Sequence, residues 1–295
     1  MRSGFVSIVG RPNVGKSTLL NSIVNAHLAI TSDVAGTTRN TIEGIYNDSD
    51  SQIIFIDTPG IHKPKSKLGK ILNKESYSVF KNVDVILFLV DATERYGKGD
   101  EFIIRALKNT DTPVILVINK IDRISNEALY YKIKEYQDLY DFSDIVPVSA
   151  MKDDNIDELI NVVKKYLTDN ILYYSNEQVT NLSTKFMISE LVREKILRNT
   201  ENEVPHSVTC VTTLIEEKAD VVNINVDIIV DRDSLKKIII GKSGAMLKKV
   251  GSEARPEIEE MFGKKVYLEL YCKTISKWRD RELYLKDLGF SKKDE

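Results

Sequence analysis

The sequence predicts two domains of different class: an α/β domain with a mostly parallel sheet and helices on both faces, then an α+β module. Three observations carry this. The chain has 295 residues, too many for one small core and suited to two domains of ordinary size. From Phe5 to about Leu167, short apolar β-rich runs alternate with helical stretches, as expected of strands buried on both faces and joined by crossover helices. After Thr168 that rhythm stops, and the polar, turn-rich stretch TDNILYYSNEQVTNLS reads as a linker. The expected boundaries are 1–168 for the first domain, 169–180 for the linker and 181–295 for the second domain with its tail.

The elements follow in order. FVSIVG is an apolar run ending at Gly10, then comes a helix near Lys16–Asn25. IEGIY and IIFID are strands, followed by a helix near Leu68–Phe80, the strand VDVILFLVD and a helix near Asp100–Lys108. VILVIN, a helix near Asn126–Tyr140, IVPVS and a helix from Asn155 complete the first domain. In the second, a helical pattern near Thr184–Arg198 precedes two extended runs, SVTCVTTLI and VVNINVDIIV. Then come the short helix SLKKIII, a loop at Gly241–Gly244, a longer helix to about Met261 and a last strand, KVYLELYC.

Lys and Arg number 42 against 44 for Asp and Glu, so the global charge announces no nucleic-acid partner. Locally the balance differs. Between Arg232 and Gly251, Arg232, Lys236, Lys237, Lys242, Lys248 and Lys249 face only Asp233. Cys210 and Cys272 lie in apolar or β-branched surroundings with no second ligand at metal spacing, and read as buried thiols of a reducing compartment. MRSGFVSIVG enters a strand at once and no apolar run is long enough to span a bilayer, so the expectation is a cytoplasmic protein.

Gly10-Arg-Pro-Asn-Val-Gly15-Lys16-Ser17 fits G-x-x-x-x-G-K-[ST] and sits between a strand and a helix, the context that gives the motif its meaning. Its glycines let the backbone curl, so that N–H groups from Asn13 and Val14 through Thr18 converge on phosphate oxygens at the positive end of the helix. Lys16 is expected to reach the β- and γ-phosphates and the Ser17 hydroxyl to ligate Mg²⁺.

Further pieces arrive in the right order. Asp57-Thr-Pro-Gly60 ends a strand; the Asp57 carboxylate can hold Mg²⁺ through water and the Gly60 N–H can meet a γ-phosphate. Asn119-Lys120-Ile-Asp122 ends another. Guanine presents N1–H and a 2-amino group side by side, which one carboxylate accepts together, and adenine has no such pair. Asp122 is therefore the specificity residue, for GTP and GDP over ATP. Asn119 is expected to tie this loop to the phosphate loop and Lys120 to cover the base. Ser149-Ala150 would bring an N–H to the guanine O6.

With GRPNVGKS, DTPG, NKID and SA, residues 1–168 resemble the translation-factor-like GTPases. The resemblance makes TSDVAGTTRNT, between Ile30 and Ile42, the first switch, with Thr38 or alternatively Thr37 meeting Mg²⁺ and the γ-phosphate. Residues 60–76 read as the second switch. After DTPG, where many GTPases carry a water-orienting glutamine, stands Ile61, whose side chain forms no hydrogen bond. This resembles the branch in which an asparagine of the phosphate loop, here Asn13, helps hold a K⁺ ion that stabilises the transition state, and it implies slow turnover. The expected catalytic group is thus Lys16, Thr38, Gly60 and Asn13, while His62 reads as merely solvated.

Gly241-Lys242-Ser243 repeats Gly15-Lys16-Ser17, yet five positions before Gly241 stands Lys236, not glycine, and no strand precedes it. Gly241-Lys242-Ser243-Gly244 is better read as G-x-x-G, whose glycines let the backbone approach a sugar-phosphate chain. In its setting it resembles a KH RNA-binding module of the bacterial type (type II). That implies a groove with Ile239 and Ile240 in its floor and Lys242, Lys248 and Lys249 near the phosphates of about four nucleotides.

One such GTPase domain followed by one KH domain, through the tail WRDRELYLKDLGF, resembles the Era family of GTPases over essentially the whole chain. The resemblance implies a monomer acting in small-subunit ribosome assembly, bound to the 3′ end of 16S rRNA and the pre-30S particle. It also allows peripheral association with the cytoplasmic face of the cell membrane. Ala35-Gly36-Thr37-Thr38-Arg39 looks more like the first switch of the tandem-domain Der family. Two competing readings are a constitutive RNA-binding scaffold with negligible turnover, and a GTPase whose second domain binds protein or anionic lipid.

Overall fold

A computed structural model of the chain describes residues 1–31, 38–60, 66–79, 82–201, 204–288 and 290, with residues 75, 77–79 and 287 by their backbone alone. Thr37, Ile61, His62 and parts of both expected switches lie outside these residues. The described residues form two compact units. The first reaches Asn181, and the second begins at Leu182 and takes in residues 30–31 and 66–68.

The first unit carries β1 (Arg2–Gly10), α1 (Lys16–Val24), β2 (Ile42–Asn47), β3 (Ser51–Asp57), α2 (Lys67–Val79, from Gly69), β4 (Val85–Asp91), α3 (Lys98–Leu107), β5 (Val114–Asn119), α4 (Asn126–Gln137), β6 (Asp144–Pro147) and α5 (Ile156–Lys164). The sheet order is β2-β3-β1-β4-β5-β6, with only β2 antiparallel to its neighbour. β3, β4 and β5 are buried along their whole lengths, which is why their sequences are continuous apolar runs rather than alternating ones. Gly10, Asp57, Asp91 and Asn119 each close a strand, so the polar residues gather at the carboxyl edge of the sheet, where open α/β sheets bind ligands.

Residues 169–180, where the sequence predicts a linker, belong instead to the first unit. The Ser3 N–H donates to the Asp169 carbonyl at 2.9 Å, the Ile45 N–H to Val179 at 2.9 Å, and Thr180 Oγ1 to the Glu43 carbonyl at 2.6 Å. Gln52 Oε1 accepts from the Tyr173 and Tyr174 N–H groups at 2.8 and 3.0 Å. The segment thereby covers the open edge of β2, whose backbone groups need partners.

The second unit carries α6 (Thr184–Asn199), α7 (Val204–Ser207), β7 (Thr209–Glu217), β8 (Val221–Val230), α8 (Asp233–Ile240), α9 (Ala245–Phe262), β9 (Lys265–Thr274) and α10 (Glu282–Asp287). β8 is central, antiparallel to β7 and parallel to β9. Val222, Ile224, Val226 and Ile228 of β8 are fully buried and alternate with half-exposed polar residues, so one face of this sheet packs on helices. Trp278 is also fully buried. Its Nε1–H donates to the Ser207 carbonyl at 3.0 Å and its ring stacks on Phe290 at 6.0 Å. Ile30 lies in the core of this unit, and the Thr31 N–H donates to Glu194 Oε1 at 3.2 Å. Among the described residues, no helix is long and apolar enough to cross a membrane.

Candidate nucleotide and nucleic-acid sites

Between β1 and α1 the backbone turns through left-handed conformations at Asn13 (φ 67°) and Gly15 (φ 100°). A Cβ on Gly15 would overlap the Asn119 side-chain amide, so only glycine fits both the space and the φ. The free N–H groups of the first turn of α1, at Lys16, Ser17 and half-buried Thr18, form an anion-binding helix N-terminus. Lys16 is buried, and its Nζ donates to the carbonyls of Arg11 at 2.9 Å and Gly10 at 3.3 Å.

A compact oxygen cluster stands beside it. Ser17 Oγ donates to Asp57 Oδ2 at 2.7 Å and lies 2.9 Å from Thr38 Oγ1. Burial pushes the Asp57 carboxyl up to about 6, against Lys16 and the two hydroxyls, and lowers Lys16 to about 8, against Asp57. Asp57 Oδ1 is buried without a hydrogen-bond partner. Two hydroxyls and a carboxylate with an unsatisfied oxygen suit a hard divalent cation such as Mg²⁺. Thr58 Oγ1 donates to the Ile8 carbonyl at 2.9 Å and anchors the turn that ends at Gly60, where a Cβ would sit 3.1 Å from Pro12.

Asn119 joins three loops. Its Nδ2 donates to the Val14 carbonyl at 2.9 Å, and its Oδ1 accepts from the Ala150 N–H at 3.0 Å. Lys120 Nζ donates to the Asn13 carbonyl at 2.8 Å, and Ser149 Oγ donates to Asp122 Oδ1 at 2.5 Å. Asp122 is otherwise exposed, a carboxylate with acceptor capacity to spare. Sequence reasoning missed Asp91, which pairs with Lys120 at 2.6 Å and is held below the usual carboxylate range by Lys120 and Thr93 despite burial. The only signal was its place as the last residue of VILFLVD. Arg11 was missed too. It pairs with Glu94 at 2.6 Å and Asp100 at 3.1 Å and so pins the start of the phosphate loop.

In the second unit, Gly241 (φ 73°), Ser243 (φ 51°) and Gly244 (φ 80°) turn the chain between α8 and α9. A Cβ on Gly241 would sit 2.8 Å from the Met246 N–H nitrogen, whereas Gly244 faces open space. Lys242, Ser243, Lys248 and Lys249 are exposed. Beside Gly244 runs a groove lined by Leu247, Lys248 and Gly251 of α9 and by Tyr267, Leu268 and Leu270 of β9. This corrects the expected floor. Ile239 is fully buried in the core and offers no surface to a ligand, and half-buried Ile240 does not line the groove. Lys249, the residue after Lys248, lines a different cavity of this unit.

Residues 5–120 match the sequence family described as 50S ribosome-binding GTPase, and residues 203–279 match the KH domain family. Two crystal structures resemble the whole chain. A tyrosine-to-alanine variant of Aquifex aeolicus Era bound to GDP·AlF4⁻ is 40% identical over 99% of this chain and 100% of its own, with a TM-score of 0.93. Era in complex with MgGDPNP and nucleotides 1506–1542 of 16S ribosomal RNA is 40% identical over the same shares, with a TM-score of 0.95.

Proposed function

The chain belongs to the Era family, and from that membership we propose that it is a GTP-hydrolysing RNA-binding switch of small-subunit assembly whose second unit holds the 3′ end of 16S rRNA. The matched family description speaks of the 50S particle, but it covers residues 5–120 only. The relative that matches along 99% of the chain carries small-subunit RNA, so the reading follows the relative.

One observation carries the proposal: Asn119 fastens the phosphate loop and the Ser149–Ala150 loop to a single strand end. A polyphosphate and a guanine are thereby read by one rigid frame. The backbone from Asn13 to Thr18 and the Lys16 ammonium receive the phosphates and Asp122 accepts from the base, while the Ala150 N–H donates to Asn119 Oδ1 and holds the Ser149–Ala150 loop beside it. Ser17, Asp57 and either Thr38 or Thr37 would hold Mg²⁺, which when bound neutralises charge on the β- and γ-phosphates. The Gly60 N–H would meet the γ-phosphate. Asn13 is assigned to a K⁺ ion, so turnover is expected to be higher in potassium than in sodium buffer, and equal rates would remove that assignment.

The proposal puts the protein in the cytoplasm as a monomer, with peripheral membrane association left to fractionation of cells. Phosphate release from GTP and ATP, measured with and without the 1506–1542 RNA, tests the core of it. Release from GTP alone, changed by the RNA, is the expected result. A rate equal to buffer in both cases would leave only an RNA-binding scaffold. Gly244→Asp adds a negative charge at the tip of the exposed loop and is expected to weaken RNA binding without altering GTP affinity. RNA affinity indifferent to that change would favour a protein- or lipid-binding second unit.

A further inference from the structure

The second unit has a cavity of about 640 Å³ distinct from the groove beside Gly244. It is lined by Arg198 of α6 and Thr200 just after it, by Glu201, by Arg232 just before α8 and Ser234 within it, and by Lys249 of α9. Among the described residues, three cations and one carboxylate line it. Arg198 comes from a part of the sequence with no motif, and Arg232 was noted only as one member of a basic run.

The surrounding acids do not neutralise them all. Arg198 pairs with buried Glu194 at 2.8 Å; Lys195 lies 3.2 Å from the other oxygen of Glu194 but is itself paired with Glu257, so Arg198 is the most nearly balanced of the three. Lys249 lies 3.9 Å from Glu253, whose other oxygen accepts from Asn199 at 2.6 Å. Arg232 is exposed, and its acidic neighbours are turned away, Asp231 to Arg279 at 2.6 Å and Asp233 to Thr274 at 2.6 Å. Among the described residues Arg232 has no ion pair. The exposed N-terminus of α8, with Ser234 in its first turn, adds partial positive charge on the same side.

We propose that this cavity is a second phosphate-binding subsite for the same RNA chain, receiving backbone phosphates that lie beyond the nucleotides held along the G-x-x-G groove. The inference rests on the RNA-binding reading above. Lys248 lines the groove while the next residue, Lys249, lines the cavity, so α9 is the wall between them, roughly 10–12 Å across. A chain leaving the loop needs to travel only about that far to arrive here. One G-x-x-G loop clamps about four nucleotides, so a longer RNA needs such further contacts. A concave cavity with two guanidinium groups suits the edge of a phosphodiester better than a flat lipid surface.

The test uses the full chain carrying Arg198→Gln with Arg232→Gln and two RNAs. One is the 1506–1542 RNA; the other is an oligoribonucleotide from its single-stranded end, little longer than the about four nucleotides of one loop. The double variant is expected to bind the long RNA at least about tenfold more weakly. The slope of log K against log salt should flatten by about 1.4, two contacts at roughly 0.7 each on a single strand. Binding of the short RNA should be unchanged, and Arg232→Lys should restore most of the slope. Equal weakening of both RNAs means the variant has disturbed the loop and overturns the proposal, as does unchanged binding of both. Wild-type protein that binds neither RNA removes the RNA reading itself, and this subsite with it. A parallel arm with phosphatidylglycerol-containing vesicles covers the lipid alternative: loss of vesicle binding with long-RNA binding intact would assign the cavity to a headgroup.

Discussion

Asp122→Asn separates recognition of the base from everything else in the pocket. Ser149 Oγ already donates to Oδ1, which leaves Oδ2 and a lone pair of Oδ1 for the ligand. With asparagine, one oxygen becomes an NH2 that faces guanine's donors. Two hydrogen bonds to a charged acceptor, each about 1.5–3 kcal/mol, are lost, for a total of roughly 3–6 kcal/mol. At about 1.4 kcal/mol per tenfold, GDP affinity should fall by about 10²–10⁴. Xanthine carries a carbonyl where guanine has its 2-amino group, so the new NH2 can donate to it, and xanthosine diphosphate should bind better to the variant than to wild type. Asp122 is exposed and Ser149 can still donate to the amide oxygen, so stability should change by no more than about 0.5 kcal/mol. Displacement of a fluorescent nucleotide by GDP and by xanthosine diphosphate measures both arms. GDP affinity within about threefold of wild type would refute the assignment, as would loss of both nucleotides with a lowered melting temperature.

Gly15→Ala forces an L-residue to φ 100° and pushes its Cβ into the Asn119 amide, so the three-loop frame should loosen. Calorimetry should show GDP binding weakened more than about tenfold, and a strain cost of roughly 1–2 kcal/mol should lower the melting temperature of the first unit; unaltered GDP binding would contradict the frame. Burial raises the Cys272 thiol to about 11, against Lys236, so at pH 8 it is almost wholly protonated. Native protein should be alkylated by iodoacetamide on the order of a hundredfold more slowly than a free thiol of pKa about 8.5, with a rate that climbs from pH 8 to 10. Labelling at the free-thiol rate would count against that burial. Trp278→Phe leaves the Ser207 carbonyl without its donor and should cost about 1–3 kcal/mol in urea denaturation followed by circular dichroism, with GDP affinity unchanged. An unchanged midpoint would remove that hydrogen bond from the account of the second unit.

The first unit was legible because its signals are local. A fully buried parallel strand must be an apolar run, and a phosphate loop must follow it at once, so FVSIVG-GRPNVGKS announces both. The segment after Thr168 was misread for the opposite reason. It has linker composition, but the backbone N–H groups of Ile171 and Tyr173 and the Thr180 hydroxyl meet Ser3, Gln52 and Glu43, which lie more than 120 positions away in the chain. Composition reports polarity and not where the partner sits. In the second unit, Ile239 is part of the core and not of an open floor. Val250, Ala254 and Ile258 are fully buried and mark the core face of α9, and Leu247 and Gly251 are left beside the open groove.

The two Gly-Lys-Ser triplets show why a motif has no meaning apart from its surroundings. In the first, the lysine is buried, its ammonium lies on the loop's own carbonyls, and the glycine is closed off by Asn119. Such a loop can wrap a compact polyanion that ends there. In the second, the glycine Gly241 is closed off as well, by Met246, but the lysine is exposed and Gly244 just after the triplet faces open space. An exposed lysine contributes screened charge rather than an enclosed contact, which suits a chain that runs past the loop. The two triplets share residue types and crowded glycines, and what sets them apart is the lysine, buried on its own loop in the first unit and exposed in the second.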